Sequence, residues 1–357
     1  MLRNVNIDLI YQPTLAQIPV PPEELQQRAA SNDKPTISHW RDTWLSQFKA
    51  NKEKCGSFYD HSIGQLVGKN KHKAAIVIGS GPSLKLTLDD LRANAKMRTP
   101  LLTISCLHNF GYFQDEGIAV DYYLTLDAGA IVEKDVFEGR KEAPEFYWER
   151  SKGKTLLAYA ATSPKLLELW QGEVLFFNTT LPDPGLQAEI DAVEKFQHCI
   201  SSGGNALGAC MYAAKAIMGS QTIVFVGADF CFDYDNTFHS YKTHYDDVGH
   251  FVVHPDCFGV PRKTWQSYLN FKFWLDRISL TVPGVWVNAS FGCLGAYLGG
   301  NLGSFIYKTL GEWLTQYEIG ECVTKFEKVP GSEDKKTLLY LEDYFSSRTE
   351  EDKIVLF

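Results

Sequence analysis

The chain has 357 residues, of which 45% are hydrophobic and 22% charged, a composition typical of a globular protein with one large core and appendages. Its formal net charge of −8 gives no electrostatic reason to expect nucleic-acid binding, although a local basic patch is not excluded. The sequence contains neither an apolar run of membrane-spanning length nor the apolar run of a signal peptide, and its eight cysteines form no Cys-x-x-Cys pair. We therefore expect a cytoplasmic protein without a membrane span or a cysteine-based metal site.

Residues 1–70 have the pattern of a helical arm. Prolines stand near the start, and a mostly polar helical stretch follows. In that stretch Trp40, Trp44 and Phe48 recur every four residues, so they share one face of a helix. We expect this face to pack the arm onto the core, and the alternative is a surface for a partner.

From residue 73 onward, short apolar segments alternate with longer amphipathic ones. The predicted strands are residues 74–78, 101–106, 122–126, 156–160, 174–177, 222–226 and 285–287. The predicted helices lie near residues 84–96, 107–116, 163–170, 186–197, 205–219, 264–280 and 303–316. This alternation predicts an α/β, Rossmann-like, doubly wound and mostly parallel sheet over residues 71–325, followed by a charge-rich C-terminal extension over 326–357.

The segment after the first predicted strand is typical of a turn that accepts an anion. It contains Gly79, Ser80, Gly81, Pro82 and Ser83, which supply two glycines for close backbone approach and two hydroxyl groups. The spacing matches neither the dinucleotide-binding fingerprint nor the Walker motif. We predict a nucleotide phosphate here, with a tight turn that binds nothing as the alternative.

Polar residues also follow the next two predicted strands. Asn109 can hydrogen-bond a nucleobase or ribose, or cap a helix. Asp127 suits a ribose hydroxyl, a metal ion or the role of a general base, and helix capping is again the alternative.

A second glycine-containing turn leads into an apolar helix. It is formed by Ser202, Gly203, Gly204 and Asn205 and can present backbone donors at the start of that helix. Two such turns in one sheet indicate a diphosphate-containing or nucleotide-linked ligand.

The stretch from Gly227 to about residue 258 is long and aromatic, as site loops often are. It carries Asp229 and other acidic residues, and its histidines are His239, His244, His250 and His254. Their irregular spacing matches no metal-ligand signature. We therefore favour general acid–base use of one histidine over a metal site.

Taken in chain order, these segments resemble one family. The carrying segments are residues 79–84, 117–127, 202–205 and 226–229, with His239 beyond them. They resemble the archaeal 6-hydroxymethylpterin diphosphokinases, a family that also includes the motility-associated factors, which are flagellin glycosyltransferases with nonulosonic-acid donors. The resemblance covers about residues 50–310. A late stretch resembles the family's Asn-Ala-Thr-x-Gly-Gly but departs from it at Ser290 and Cys293.

The first turn is also similar to that of bacterial sialyltransferases that use CMP-sialic acid. In those enzymes the turn lies beside the nucleotide, and a histidine is the general base without a metal. The resemblance implies that Gly79, Gly81, Pro82 and Ser83 flank the donor phosphate, that Asn109 contacts the nucleotide, and that Ser202 to Gly204 close the other side. It further implies His239 as the base, with His244 as its nearest rival.

These observations favour a glycosyltransferase that uses a CMP- or UDP-linked sugar and an acceptor hydroxyl, with His239, Asp229 and Asp127 as the catalytic residues. One alternative is a diphosphokinase that transfers diphosphate from ATP, for which Asp127 and Asp229 are the candidate Mg²⁺ ligands. The other alternative is a nucleotide-binding scaffold without catalysis. The arm and the long loop favour a large acceptor and hence glycosyl transfer.

Overall fold

The computed structural model describes residues 22–71, 73–129, 133, 136–179, 183–196, 199–200, 202–241, 249–297, 300–301 and 305–318. Within these ranges no helix combines the length and the apolar character that crossing a bilayer requires. His244 and the predicted C-terminal extension lie outside the described residues.

The strands, from β1 to β13, are Ala74–Ile78, Leu102–Cys106, Tyr122–Thr125, Thr155–Tyr159, Glu173–Thr179, Cys199–Ile200, Thr222–Val226, Val252–Pro255, Pro261–Thr264, Val285–Asn288, Ala296–Tyr297, Gly300–Asn301 and Phe305–Tyr307. Nine of these strands form one sheet, in the order β13-β10-β7-β1-β2-β3-β4-β5-β6. The sheet is mostly parallel: the successive pairs from β1 to β6 are parallel, and so is the pair of β10 with β13. Two-stranded antiparallel sheets join β8 to β9 and β11 to β12.

This architecture confirms the predicted fold class. Every residue of β1 and of β7 is buried, which is why both strands appear in the sequence as continuous apolar runs. The strand order reverses at β1, because β2 lies on one side of it and β7 on the other. In open α/β sheets such a reversal, at the carboxyl ends of the strands, is the usual place for a ligand.

The helices mostly occupy their predicted places. Those of α type, from α1 to α9, are Pro22–Cys55, Leu88–Lys96, Phe110–Glu116, Pro144–Glu149, Pro164–Leu169, Pro184–Val193, Ala206–Tyr212, Gln266–Thr281 and Leu310–Glu318. The prediction of one helix over 84–96 was wrong at its start, where a short 3₁₀ helix, Pro82–Leu86, precedes α2. The prediction of a helix from 303 was also wrong, since Phe305–Tyr307 pairs with β10 and α9 begins only at Leu310.

The described chain divides into two compact units. The first contains Gly81–Thr87 and the chain from Val224 onward, and the second contains Arg28–Ser80 and Leu88–Ile223.

In the second unit, the aromatic face of α1 packs against the core as predicted. Phe48 is fully buried, and its ring lies 5.0 Å from that of Phe58, centroid to centroid. One turn further along α1, the Asn51 amide donates hydrogen bonds to the carbonyl oxygens of Ala160 and Thr162, at 2.9 and 2.8 Å. The last turns of α1 are therefore part of the unit's core.

Candidate functional site

In the first unit, the Asp229 carboxylate joins three segments of the chain. It lies three residues after β7 and is 3% exposed. Its Oδ2 accepts hydrogen bonds from the backbone N–H and the hydroxyl of Ser83, both at 2.9 Å, and its Oδ1 accepts one from the N–H of Phe291 at 3.2 Å. Burial raises the pKa of Asp229, and the three hydrogen bonds oppose that shift.

Two glycines make this arrangement possible by leaving room for Asp229. A Cβ at Gly81 would lie 2.2 Å from Oδ2 of Asp229, and a Cβ at Gly292 would lie 2.2 Å from the backbone oxygen of Asp229. The second glycine of the first turn is thus required by the approach of a buried carboxylate.

The late stretch that departs from the family pattern also holds Asp229 in place. The Ser290 hydroxyl accepts a hydrogen bond from the N–H of Ala228 at 2.8 Å, and the N–H of Cys293 donates to the Asp229 carbonyl at 2.6 Å. At the first departure the serine hydroxyl makes this contact, whereas at the second the contact comes from the backbone and does not require cysteine. The sequence analysis did not predict that this stretch holds Asp229 in place. The one feature of the sequence that could have indicated it is Gly292, which lies between Ser290 and Cys293.

Most donors of the first turn are used within the protein. Gly81 donates its N–H to the Gly227 carbonyl, Ser83 donates both of its protons to Asp229, and Leu84 donates to the Gly81 carbonyl. Pro82 has no N–H to offer. The turn therefore holds a fixed shape but offers few hydrogen bonds to an anion.

Ser80 is the residue of this turn that keeps a donor for a ligand. It is half-buried, and its hydroxyl makes no hydrogen bond to another residue in the described part of the chain. Binding of a phosphate by these residues stays a prediction, and the Ser80 hydroxyl is available for it.

The loop after Asp229 is shaped by its own acidic residues. Asp233 donates its N–H to the Thr237 carbonyl at 2.8 Å, and Asp235 accepts a hydrogen bond from the N–H of Thr237 at 3.0 Å. Hydrogen bonds from the Thr237 hydroxyl and from this N–H lower the pKa of Asp235. Asn236 has a φ of 60°, a left-handed conformation that asparagine tolerates better than most residues. Asp233 and Asp235 thus build the turn that leads to His239.

His239 lies half-buried between aromatic rings. Its ring stacks on that of Tyr241, with 5.3 Å between the centroids and 10° between the planes, and it meets the Phe238 ring edge-on at 4.7 Å. This is a partly accessible imidazole in a fixed setting, as a general base requires.

His254 and His250 lie in different settings from His239. His254 is in β8, is 2% exposed, and its Nδ1 lies 2.7 Å from the Pro255 carbonyl oxygen. Burial, with the nearby Lys272 ammonium, lowers the pKa of His254 to about 2. His254 therefore stays neutral and inside the core, whereas His250 is exposed.

In the second unit, the structure brings Asn109 to the end of β1. Asn109 is fully buried, and its amide donates to the Gly79 carbonyl at 2.9 Å and to the Ser105 hydroxyl at 3.0 Å. Among the described residues its Oδ1 has no partner. Asn109 thus braces the strand end, and its contact with a nucleotide stays a prediction.

Asp127 lies in the same unit, two residues after β3, and is half-buried. Its N–H donates to the Thr125 hydroxyl at 3.2 Å, while its carboxylate accepts no hydrogen bond within the described ranges. Asp127 therefore keeps both oxygens for a ligand, unlike Asp229.

The second predicted turn also lies in this unit. Gly203 and Gly204 take positive φ values of 60° and 85°, and the N–H of Gly204 donates to the Ser202 hydroxyl at 3.1 Å. The Asn205 side chain accepts a hydrogen bond from the N–H of Gly208 at 2.8 Å and so caps α7. Asn205 is thus occupied as a cap, whereas Ser202 and the glycines are partly accessible.

The hydrogen bonds of Asp229 compete with a role as Mg²⁺ ligand. Both of its oxygens already accept hydrogen bonds from the protein. In addition, no group of three His, Cys, Asp or Glu side chains among the described residues is placed to hold a metal ion.

A family model connects this fold to known proteins. The model described as "6-hydroxymethylpterin diphosphokinase MptE-like" matches residues 49–235, which is more than half of the chain. The chain belongs to this MptE-like family, and the resemblance predicted from its motifs is confirmed. No curated protein matches the chain.

The fold is also similar to a solved structure, the MAf glycosyltransferase from Magnetospirillum magneticum AMB-1. The TM-score is 0.52 and the sequence identity 16%, over 84% of this chain and 42% of that one. The chain thus spans less than half the length of that protein, and at this identity the likeness establishes the fold.

We expect Gly81→Ala to destabilise the first unit, because the added methyl group would collide with the Asp229 carboxylate. The free energy of unfolding in urea should fall by about 1–3 kcal/mol. Gly185→Ala is the matched control, since a Cβ there meets only an Asp183 side-chain oxygen at 3.2 Å. Equal stability of the two variants would contradict the fixed contact between the turn and Asp229.

We also expect His254 to make the protein sensitive to acid. Its pKa is lower in the folded than in the unfolded state, so the unfolded chain alone binds the proton and stability is lost as the pH falls below about 6.5. Between pH 6.5 and 5 this loss amounts to about 2 kcal/mol. His254→Gln should lose less stability over this interval than the unsubstituted protein and His250→Gln, measured by urea unfolding. An unchanged pH dependence in His254→Gln would show that another group is responsible.

Proposed function

We propose that this chain is a glycosyltransferase that moves a sugar from a CMP- or UDP-linked donor to an acceptor hydroxyl. The observation that carries the proposal is the environment of His239, which lies in the first unit on the loop that begins at Asp229. This histidine is partly accessible and held by aromatic rings, whereas His254 is buried and neutral.

In the proposed reaction His239 accepts the proton of the acceptor hydroxyl as its oxygen attacks the anomeric carbon. The bond from that carbon to the donor phosphate breaks, and the nucleotide leaves with the electron pair. Ser80 and the turn at Ser202 to Gly204 are the candidates to hydrogen-bond the leaving phosphate. Asp127, whose carboxylate is available, is the candidate partner for a ribose hydroxyl.

Asp229 acts in this proposal on the protein and not on the substrate. Its carboxylate accepts hydrogen bonds from Ser83 and Phe291. In the proposal it therefore fixes the conformation of the turn to which the donor binds. This differs from the catalytic role that the sequence suggested for Asp229.

The fold neighbour, the MAf glycosyltransferase, supports this proposal. The family model supports a second candidate, diphosphate transfer from ATP to a hydroxymethylpterin. That reaction normally requires Mg²⁺ held by carboxylates. Of the two candidate ligands, Asp127 has an available carboxylate, whereas Asp229 already accepts three hydrogen bonds from the protein. We therefore place glycosyl transfer first.

A thermal-shift series with CMP, UDP, GDP and ATP, each with and without Mg²⁺, separates the two candidates. We expect CMP or UDP to raise the Tm without metal, because a ligand that binds only the folded state stabilises it. A rise with ATP alone, and only when Mg²⁺ is present, would instead support the diphosphokinase. If no nucleotide changes the Tm, a non-catalytic scaffold becomes the better description.

His239→Ala should abolish turnover while leaving nucleotide binding almost unchanged. Loss of a general base lowers kcat by about 10²–10⁴-fold. The measurement is the release of CMP or UDP from the donor, with His250→Ala as a control at an exposed histidine. Full activity of His239→Ala would move the base to another residue, with His244 as the first to test.

A further inference from the structure

We propose that Tyr241 is a positioning residue, which fixes the plane of the His239 imidazole for proton transfer. The proposal rests on the proposed function, in which His239 is the general base. It adds a residue that no sequence motif singled out.

Two aromatic contacts restrict the orientation of the His239 ring. Tyr241 covers one face, with nearly parallel planes at 10°, and Phe238 meets the ring with planes 75° apart. Tyr241 and Phe238 are only 8% and 7% exposed, so neither ring can swing into solvent without leaving the core. Stacked and edge-on contacts of this kind contribute about 0.5–1.5 kcal/mol each beyond the burial of area.

Phe238 is itself held by a cluster of aromatic rings. Its centroid lies 5.1 Å from that of Phe232, 5.1 Å from Trp265 and 4.5 Å from Tyr268. The hydrogen-bonded turn between Asp233 and Thr237 fixes the backbone just before it. The edge contact of Phe238 to His239 therefore does not depend on Tyr241. Loss of the Tyr241 ring removes the stacking contact on the face of the imidazole, which loosens the ring's rotation about its second side-chain torsion.

That rotation matters because a general base works only with its nitrogen within hydrogen-bond reach of the acceptor hydroxyl. An imidazole that samples other orientations is competent for a fraction of the time. Misplacement of a catalytic group by about 1 Å can cost about 10²-fold in rate. Loss of the Tyr241 ring should thus lower kcat and leave the donor KM unchanged.

The first experiment tests the geometry without any substrate. The full chain carries ¹³C-labelled histidine, and the His239 ring signal is assigned by its absence in His239→Ala. A stacked tyrosine ring shifts the His239 ring protons upfield, so Tyr241→Met should move this signal towards the position of an exposed histidine, while Tyr241→Phe keeps it. Methionine fills irregular space in cores, which favours retention of the fold. An unmoved signal in a folded Tyr241→Met would overturn the proposal.

The second experiment tests the consequence for turnover. We expect Tyr241→Met to lower kcat for nucleotide release by about 10–100-fold with an unchanged donor KM, and Tyr241→Phe to restore it. Tyr112→Met, at a tyrosine 9% exposed in the second unit, controls for the general effect of this substitution. A wild-type kcat in Tyr241→Met, or an equal loss in Tyr112→Met, would contradict the positioning role.

The outcome for His239 separates the two proposals. If His239→Ala is inactive while Tyr241→Met turns over normally, the positioning role fails and the proposed function stands. If His239→Ala remains active, the proposed base itself is wrong, whatever the result for Tyr241.

Discussion

The hydrogen bonds of one buried carboxylate organise the first unit. Asp229 stands at the start of the loop that leads to His239, and it binds both the turn that begins at Gly81 and the stretch from Asn288 to Cys293. A buried carboxylate is costly unless donors surround it, and here a hydroxyl and two backbone N–H groups do so. Because the same group ties three segments, a shift in any of them disturbs the other two.

This arrangement distinguishes the glycine-proline-serine turn from a typical phosphate-binding loop. A phosphate-binding loop of the familiar kind leaves its N–H groups free for the ligand. Here Gly81, Ser83 and Leu84 donate within the protein, and the Ser80 hydroxyl has no hydrogen-bond partner among the described residues. The turn therefore has a fixed backbone conformation but few free donors, and the charge of a bound phosphate would have to be stabilised largely by other groups.

The sequence predicted the fold better than the site. Strands such as β1 and β7 are buried on both faces and are therefore visible as apolar runs, whereas the three residues of β13 are lost in a pattern that also suits a helix. The bond between Ser83 and Asp229 joins residues 146 positions apart, a contact that no local pattern in a single sequence reveals. Likewise the sequence alone does not distinguish His239 from His254, whereas the structure shows that His239 is partly accessible and His254 is buried.

The space that Gly81 leaves for Asp229 has a consequence for the history of the family. A side chain at position 81 and a carboxylate at position 229 compete for the same volume. Relatives that keep the acid should therefore keep the glycine. The backbone oxygen of Gly227, 2.8 Å from the same Cβ position, adds a second constraint on position 81 that does not depend on the acid. Position 81 should consequently vary less through evolution than position 229.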